Sequence, residues 1–311
     1  MSVLFIGAGA LGSYFGGQLI QAGLPVTFLV RSRRYEHITQ GGLVVHSVHG
    51  DFRLQPQLIQ DVTTASHYDL VFLAVKSYHL SSLWPALDQL VNQGSTLVPL
   101  LNGVAHLDQL LDRYGAEHVL GGLCYIEATL QPNGIVEQTS AMQEVVVGSL
   151  SGVEVPSLLT VQKAFAKRGV TFTQSTSIRA DMWVKYLFLV VLSAATTLFQ
   201  DSIGNILADN HAAKWVSSTL DETISVANAA GIKLPDDIAD RIWNRIIRVA
   251  PTMTSSMFKD AQRGYPLEVE HLQGYLVRQA WQQGLQIPRM ETVYWALRPF
   301  ESGRDIAKSR G

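Results

Sequence analysis

Three spaced glycines, an arginine followed by a serine, a solitary lysine and two nearby glutamates are the residues of this chain whose types and spacing could do chemistry. The glycines come first, in Gly7-Ala8-Gly9-Ala10-Leu11-Gly12. Gly7 allows a tight turn, Gly9 lets the backbone approach a pyrophosphate closely, and Gly12 lets a following helix pack against the preceding strand. A helix that starts there points free N–H groups and a partial positive charge at whatever lies over the turn, which suits a phosphate. A lone glycine pattern is a weak signal. Here it lies between an apolar strand, Val3-Leu4-Phe5-Ile6, and a helical stretch, Ser13 to Ala22, with Gly23 where a carboxyl-terminal cap belongs. The context predicts a dinucleotide site, with Gly7, Ala8, Gly9, Ala10, Leu11 and Gly12 against the cofactor.

The next apolar run, Pro25 to Val30, ends in Arg31-Ser32-Arg33-Arg34. An NAD site usually carries Asp or Glu at this point, to accept from the ribose 2′-hydroxyl. A guanidinium is instead a planar fork that matches a phosphate, so Arg31 with Ser32, and Arg34 as a further donor, favour the 2′-phosphate of NADP. The bland alternative is a solvated basic turn. Farther on, Lys185 opens an otherwise uncharged helical stretch, Met182 to Leu189. Such a lysine snorkels, pairs with a carboxylate or faces a polar cavity. Glu268 and Glu270 follow Ser255-Ser256-Met257. Within a helix, residues i and i+2 point apart, so at most one of the two glutamates is expected to reach a site.

Bulk properties set the frame for these residues. A chain of 311 residues with 47% hydrophobic and 16% charged residues fits about two domains with sizeable cores. A net charge of −2 argues against nucleic acid or an anionic membrane as the main partner. The single cysteine, Cys124, excludes an internal disulfide and fits a reducing, cytoplasmic setting. The longest apolar run, Tyr186 to Phe199, spans 14 residues, too few to cross a bilayer, and reads as a buried core helix. His46 and His49 lack cysteine or acidic partners at ligand spacing, and no metal site is expected.

Further buried-strand runs are Leu70 to Val75, ending in Lys76, and Thr96 to Leu101, ending in Asn102-Gly103. Pro99 is awkward inside the second and predicts irregular pairing there. Crossover helices fit 79–92 and 104–114. Open parallel sheets bind ligands beyond the carboxyl ends of their strands, so the glycine loop, Arg31, Lys76 and Asn102 should converge. Strands are expected within 119–138, with Pro132-Asn133-Gly134 as a turn, and over 144–148, followed by a helix from Ser157 to Arg168 and a strand from Val170 to Thr173. Helical patterns then fit 178–199, 205–230, 236–248, 267–284 and 289–297. The fold class is therefore α/β, an N-terminal Rossmann doubly wound parallel sheet over 1–177 with a second, all-helical domain over 178–311.

In this order and at these spacings the residues resemble the ketopantoate reductase (2-dehydropantoate 2-reductase) family over essentially the whole chain. The features that carry the resemblance are the glycine motif, Arg31, Val75-Lys76, Asn102-Gly103, Trp183-x-Lys185, and Ser255-Ser256-Met257 followed by Glu268. The family implies NADPH as hydride donor to the ketone carbon of a small 2-oxo acid, in pantothenate biosynthesis. It implies Lys185 as general acid at the ketone oxygen and Glu268 as the group that orients it and accepts from the substrate hydroxyl or ribose. Lys76 and Asn102 would hold cofactor and substrate, and Ser256 the substrate carboxylate. Leu189 and Ser193 stand where the family typically shows asparagines lining the substrate site, and Gln273 where another asparagine is usual. Ser193 is thus expected at the substrate, and a less hydroxylated or more apolar 2-oxo acid is a plausible alternative to ketopantoate. A reductase of another keto acid or an imine, and an NADPH sensor without turnover, are the rival readings. The sequence is silent on oligomeric state, and the resemblance leaves a homodimer open.

Overall fold

Short runs of apolar residues build the first sheet. The computed structural model describes residues 1–62 and 67–303. In chain order the strands are β1 Val3–Ile6, β2 Val26–Leu29, β3 Leu43–Ser47, β4 Phe52–Leu54, β5 Gln57–Ile59, β6 Leu70–Leu73, β7 Thr96–Pro99, β8 Leu120–Tyr125, β9 Ala128–Leu130, β10 Val136–Gln138, β11 Glu144–Ser149 and β12 Thr171–Gln174. Between them run α1 Ala10–Gln21, α2 Ser32–Gly41, α3 Trp84–Asn92, α4 Ala105–Tyr114 and α5 Ser157–Ala166.

The main sheet has the order β5-β2-β1-β6-β7 and is parallel throughout. Every residue of β1, β2 and β6 is buried, as expected of parallel strands covered on both faces. Phe28, Phe5 and Phe72 face each other across three neighbouring strands, with the Phe5 and Phe72 rings stacked at 4.8 Å. The register pairs Ile6 with Leu29 and Leu73, and Leu73 with Pro99. The carboxyl ends of β1, β2, β6 and β7 therefore finish level, and the chain order reverses at β1, the place where such sheets take ligands.

The strands read from 119–138 and 144–148 divide between two further sheets, β4-β3-β10-β9 and β12-β11-β8. Pro99 explains the break between β7 and β8. Thr96 and Leu100 donate towards β6, to the Asp69 and Leu73 carbonyls, whereas Leu97 donates the other way, to His118. Pro99 falls in the phase of Leu97 and has no N–H, so pairing with β8 is limited to the bridge between Leu97 and Val119. Gly122 fills the gap so closely that a Cβ there would lie 2.4 Å from the Pro99 carbonyl oxygen.

By contacts the chain divides into two units: Met1–Leu101 with His106–Ile178, and Asn102–Ala105 with the chain from Arg179 onward. The sequence boundary at 177/178 misses the short Asn102–Ala105 excursion, which no composition shift marks. The second unit is helical: α6 Ile178–Phe199, α7 Ile203–Ala208, α8 Asn210–Ala229, α9 Ile238–Arg248, α10 Ser256–Gln262, α11 Gln273–Gln282 and α12 Pro288–Leu297. The stretch 205–230 is two helices, because the Asp209 carboxylate accepts from Ala212 N–H and starts α8. The stretch 267–284 is a helix only from Gln273 onward. α2 and α10 were not anticipated, since α2 is polar with only Ile38 buried and α10 has only seven residues.

α6 has 22 residues and is long and apolar enough to cross a membrane by length and composition, more than the apolar run alone indicates. Yet 72% of its most apolar window is buried within the protein. The buried Glu222 carboxylate of α8 accepts from the backbone N–H groups of Arg289 and Met290, at 3.2 and 3.0 Å, and so closes the amino end of α12.

Gly122→Ala is expected to lower stability by about 1–3 kcal/mol through overpacking against Pro99. Urea unfolding measures this, and an unchanged midpoint would mean that β7 and β8 separate without cost.

Candidate active site

The glycine turn between β1 and α1 belongs to the first unit. Gly7 has φ +99°, and a Cβ on it would lie 2.8 Å from the Ala74 carbonyl oxygen. A Cβ on Gly12 would lie 2.0 Å from the Gly7 carbonyl oxygen. Both glycines are required by the protein itself. Gly9 is different. Its φ is −74°, and a Cβ there would meet nothing nearer than the Ala74 oxygen at 3.9 Å. Nothing in the chain requires glycine at this position, which leaves the surface over Gly9 open for a ligand to lie against the backbone. No side chain caps α1, so its first N–H groups are available to an anion. These residues fit a dinucleotide pyrophosphate.

Arg31 is exposed at the amino end of α2, its guanidinium within 3.5 Å of His79 Nε2 and Ser82 Oγ. Ser32 Oγ accepts from Gln60 Nε2 at 3.0 Å. Arg34 points elsewhere than the sequence reading assumed. Its Nε donates to the Ala8 carbonyl at 2.8 Å, Nη1 to the Gly134 carbonyl at 2.8 Å and Nη2 to Ser13 Oγ at 3.2 Å. Those acceptors draw it towards the glycine turn and the Gly134 turn. Lys76 follows the end of β6 and begins a short 3₁₀ helix, Ser77–Leu83.

The second unit holds the other half of the expected chemistry. Lys185 lies in the amino-terminal half of α6, half-buried, and its Nζ donates to Asn102 Oδ1 at 3.4 Å. This is a long contact. The Asn102-Gly103 turn packs close by. Gly103 has φ +78°, and a Cβ there would lie 2.9 Å from Leu272 and 3.9 Å from Tyr186. Tyr186 is fully buried and donates to the Leu272 carbonyl at 2.5 Å. Burial pushes its phenol well above the usual range, so it remains a donor.

Residues 268–272 form a turn rather than a helix. The Glu268 carbonyl accepts from both His271 and Leu272 N–H. The argument from opposed helix faces therefore does not apply, and partners separate the two glutamates instead. Glu270 accepts from Arg278 and from Tyr294 Oη, while Glu268 is 5% exposed beside His271. Ser255 caps α10 by accepting from Phe258 N–H, whereas Ser256 is exposed at its first position. Ser193 is 1% exposed. Its hydroxyl donates to the Val190 carbonyl and accepts from Gln273 Nε2 at 2.9 Å. Within this unit Lys185 meets Asn102, Tyr186 ties down the Glu268 turn through the Leu272 carbonyl, and Ser193 is engaged inside the core. Sequence reasoning missed Tyr186 and His271, whose only signal is adjacency to Lys185 and Glu270.

The family described as ketopantoate reductase PanE/ApbA matches residues 3–152, and its C-terminal counterpart matches residues 177–301. An uncharacterised oxidoreductase of Bacillus subtilis, YkpB, is 34% identical over 97% of this chain and 99% of its own. A 2-dehydropantoate 2-reductase of a Nostoc species is 26% identical over 96% of this chain and 95% of its own. The crystal structure of a PanE/ApbA family ketopantoate reductase from Ralstonia eutropha aligns with a TM-score of 0.87 at 27% identity, covering 100% of both chains.

Burial holds the His271 imidazole below its ordinary value of 6.5, against the opposing pull of the Glu268 and Glu270 carboxylates. A depressed histidine binds fewer protons folded than unfolded, so stability is full above about pH 6.5 and falls as the pH drops towards the folded value. Urea unfolding at pH 5.5 and 7.5 should show this loss in the wild type and a smaller one in His271→Gln. An equal loss in both would remove His271 as its source.

Proposed function

The chain belongs to the ketopantoate reductase family, and on that premise we propose that it is an NADPH-dependent reductase converting a 2-oxo acid to a 2-hydroxy acid, with 2-dehydropantoate the leading substrate. The observation that carries this reading is Lys185 held by Asn102 Oδ1 in an otherwise uncharged stretch of α6. A bound reduced nicotinamide supplies the hydride. The protein's task is then the oxygen, where negative charge develops as the hydride arrives. Lys185 hydrogen-bonds that oxygen and gives it a proton, and the contact to Asn102 helps to aim the ammonium. Glu268 orients the lysine and accepts from the substrate hydroxyl or ribose. Ser256, exposed at the start of α10, donates to the substrate carboxylate.

Most of the cofactor-binding residues proposed belong to the first unit, and Asn102 belongs to the second. Gly7, Ala8, Gly9, Ala10, Leu11 and Gly12 carry the pyrophosphate, Lys76 and Asn102 hold the rest, and Arg31 with Ser32 takes the 2′-phosphate. The Arg31 fork and the lack of an acidic residue after β2 support NADPH over NADH. Residues 1–177 serve the cofactor and 178–311 the substrate and a homodimer contact, with the last eight residues outside those described. The single cysteine fits a cytoplasmic enzyme, and family membership is what supports a place in pantothenate biosynthesis.

A second reading has its own support. Leu189, one turn beyond Lys185 on the same face, offers no amide, and the Ser193 hydroxyl is taken by Gln273. A 2-oxo acid with fewer hydroxyls suits that wall better than ketopantoate.

Following NADPH absorbance against a panel of 2-oxo acids that includes ketopantoate separates these readings. Turnover of ketopantoate supports the first and turnover of a more apolar acid the second. Tight NADPH binding without turnover of any acid would instead make the protein a sensor. Lys185→Ala is expected to lower kcat by about 10²–10⁴-fold with NADPH affinity retained. A near-normal rate would refute its role. Arg31→Asp should weaken NADPH by about tenfold or more and NADH far less, the loss of a charge-assisted contact. Equal effects on both cofactors would remove the 2′-phosphate assignment.

A further inference from the structure

We propose that Arg34 is a positioning residue for the cofactor: by gripping the Ala8 carbonyl it fixes which way the Gly9 N–H points. This rests on the dinucleotide reading of the glycine turn and adds a residue that the motif does not contain.

The Ala8 carbonyl accepts twice, from Arg34 Nε at 2.8 Å and from Ser13 Oγ at 3.0 Å. The peptide unit is planar and trans, so its carbonyl and the N–H of the next residue point in opposite directions. An Ala8 carbonyl held by Arg34 and Ser13 therefore turns the Gly9 N–H the opposite way, away from both. This peptide turns about the backbone bonds of Ala8 and Gly9, and glycine at the second gives little resistance to rotation. Without the grip, the peptide could present its carbonyl, rather than its N–H, to a pyrophosphate.

Arg34 is itself fixed at three points. Its other nitrogens donate to Ser13 Oγ in the first turns of α1 and to the Gly134 carbonyl. Gly134 sits at the tip of the β9–β10 hairpin, where its N–H donates to the Gln131 carbonyl. A Cβ on Gly134 would lie 2.0 Å from His37 Nε2, so α2 closes on the hairpin at this point. All three acceptors of Arg34 are neutral and none is a carboxylate. Burial draws the guanidinium down to about 10, which still leaves it charged at neutral pH. The glycine turn thus gains a half-buried positive charge whose hydrogen-bond acceptors are all neutral, and an anion over the turn feels it more strongly than it would an exposed arginine.

The test is titration of the full-length protein with NADPH, followed by fluorescence, together with steady-state KM and kcat. Arg34→Met removes the charge and the donors at similar length. It should raise Kd and the NADPH KM by about tenfold or more while kcat stays within about threefold. Ser13→Ala removes the second grip on Ala8 and keeps the helix, so it serves if the arginine variant does not fold. It should raise Kd by about threefold or more. A purely structural arginine would lower the melting temperature without moving Kd. Folded variants with wild-type Kd overturn the proposal while the cofactor reading stands. Failure of the wild-type protein to bind NADPH removes both.

Discussion

An ammonium group set into an apolar helix is the constraint on which the second unit depends. Lys185 has buried neighbours on both sides, Trp183 and Tyr186 among them, and leaving its charge without acceptors would be costly. The chain meets this by bringing Asn102 to it from the far end of β7. The connection works because Gly103 takes a left-handed conformation that lets the turn lie against Leu272 and Tyr186. Tyr186 in turn ties down the segment that carries Glu268, through its bond to the Leu272 carbonyl. One lysine, one short excursion and one tyrosine thus fix a polar group in a helical core.

The first unit answers a different requirement with the same economy. Its parallel strands end in register, so the loops after β1, β2 and β6 emerge at one edge. The glycines there are not equivalent. Gly7 and Gly12 are required by contacts within the protein, whereas the bare Gly9 backbone is left for a ligand. Ketopantoate reductase family membership and the open surface over Gly9 point to the same use of this edge.

Much of this was legible in the sequence because it depends on local signals. The runs Val3–Ile6, Val26–Leu29 and Leu70–Leu73 are continuous and apolar, as strands buried on both faces must be. The glycine motif marks its own turn, and Pro99 marked the place where pairing fails. What escaped were matters of partner choice. The alternation of apolar residues over 119–138 shows strands but cannot tell β8, which joins β11, from β10, which joins β3 and carries β9 on its other side. Likewise the apolar spacing over 267–284 looks helical throughout, although the Tyr186 hydroxyl and the backbone bonds to the Glu268 carbonyl hold its first part as a turn. The direction of Arg34 was equally hidden, since a basic run reads as solvated until the carbonyls that draw it inward are in place.

The most direct measurement of the central claim is the fate of label from NADPH carrying deuterium at both C4 positions, in a single turnover with the 2-oxo acid consumed fastest. The account predicts a 2-hydroxy acid with deuterium on C2 and a hydroxyl proton drawn from solvent. A product without label on C2, or labelled NADPH that stays bound and unoxidised with every acid, would contradict it.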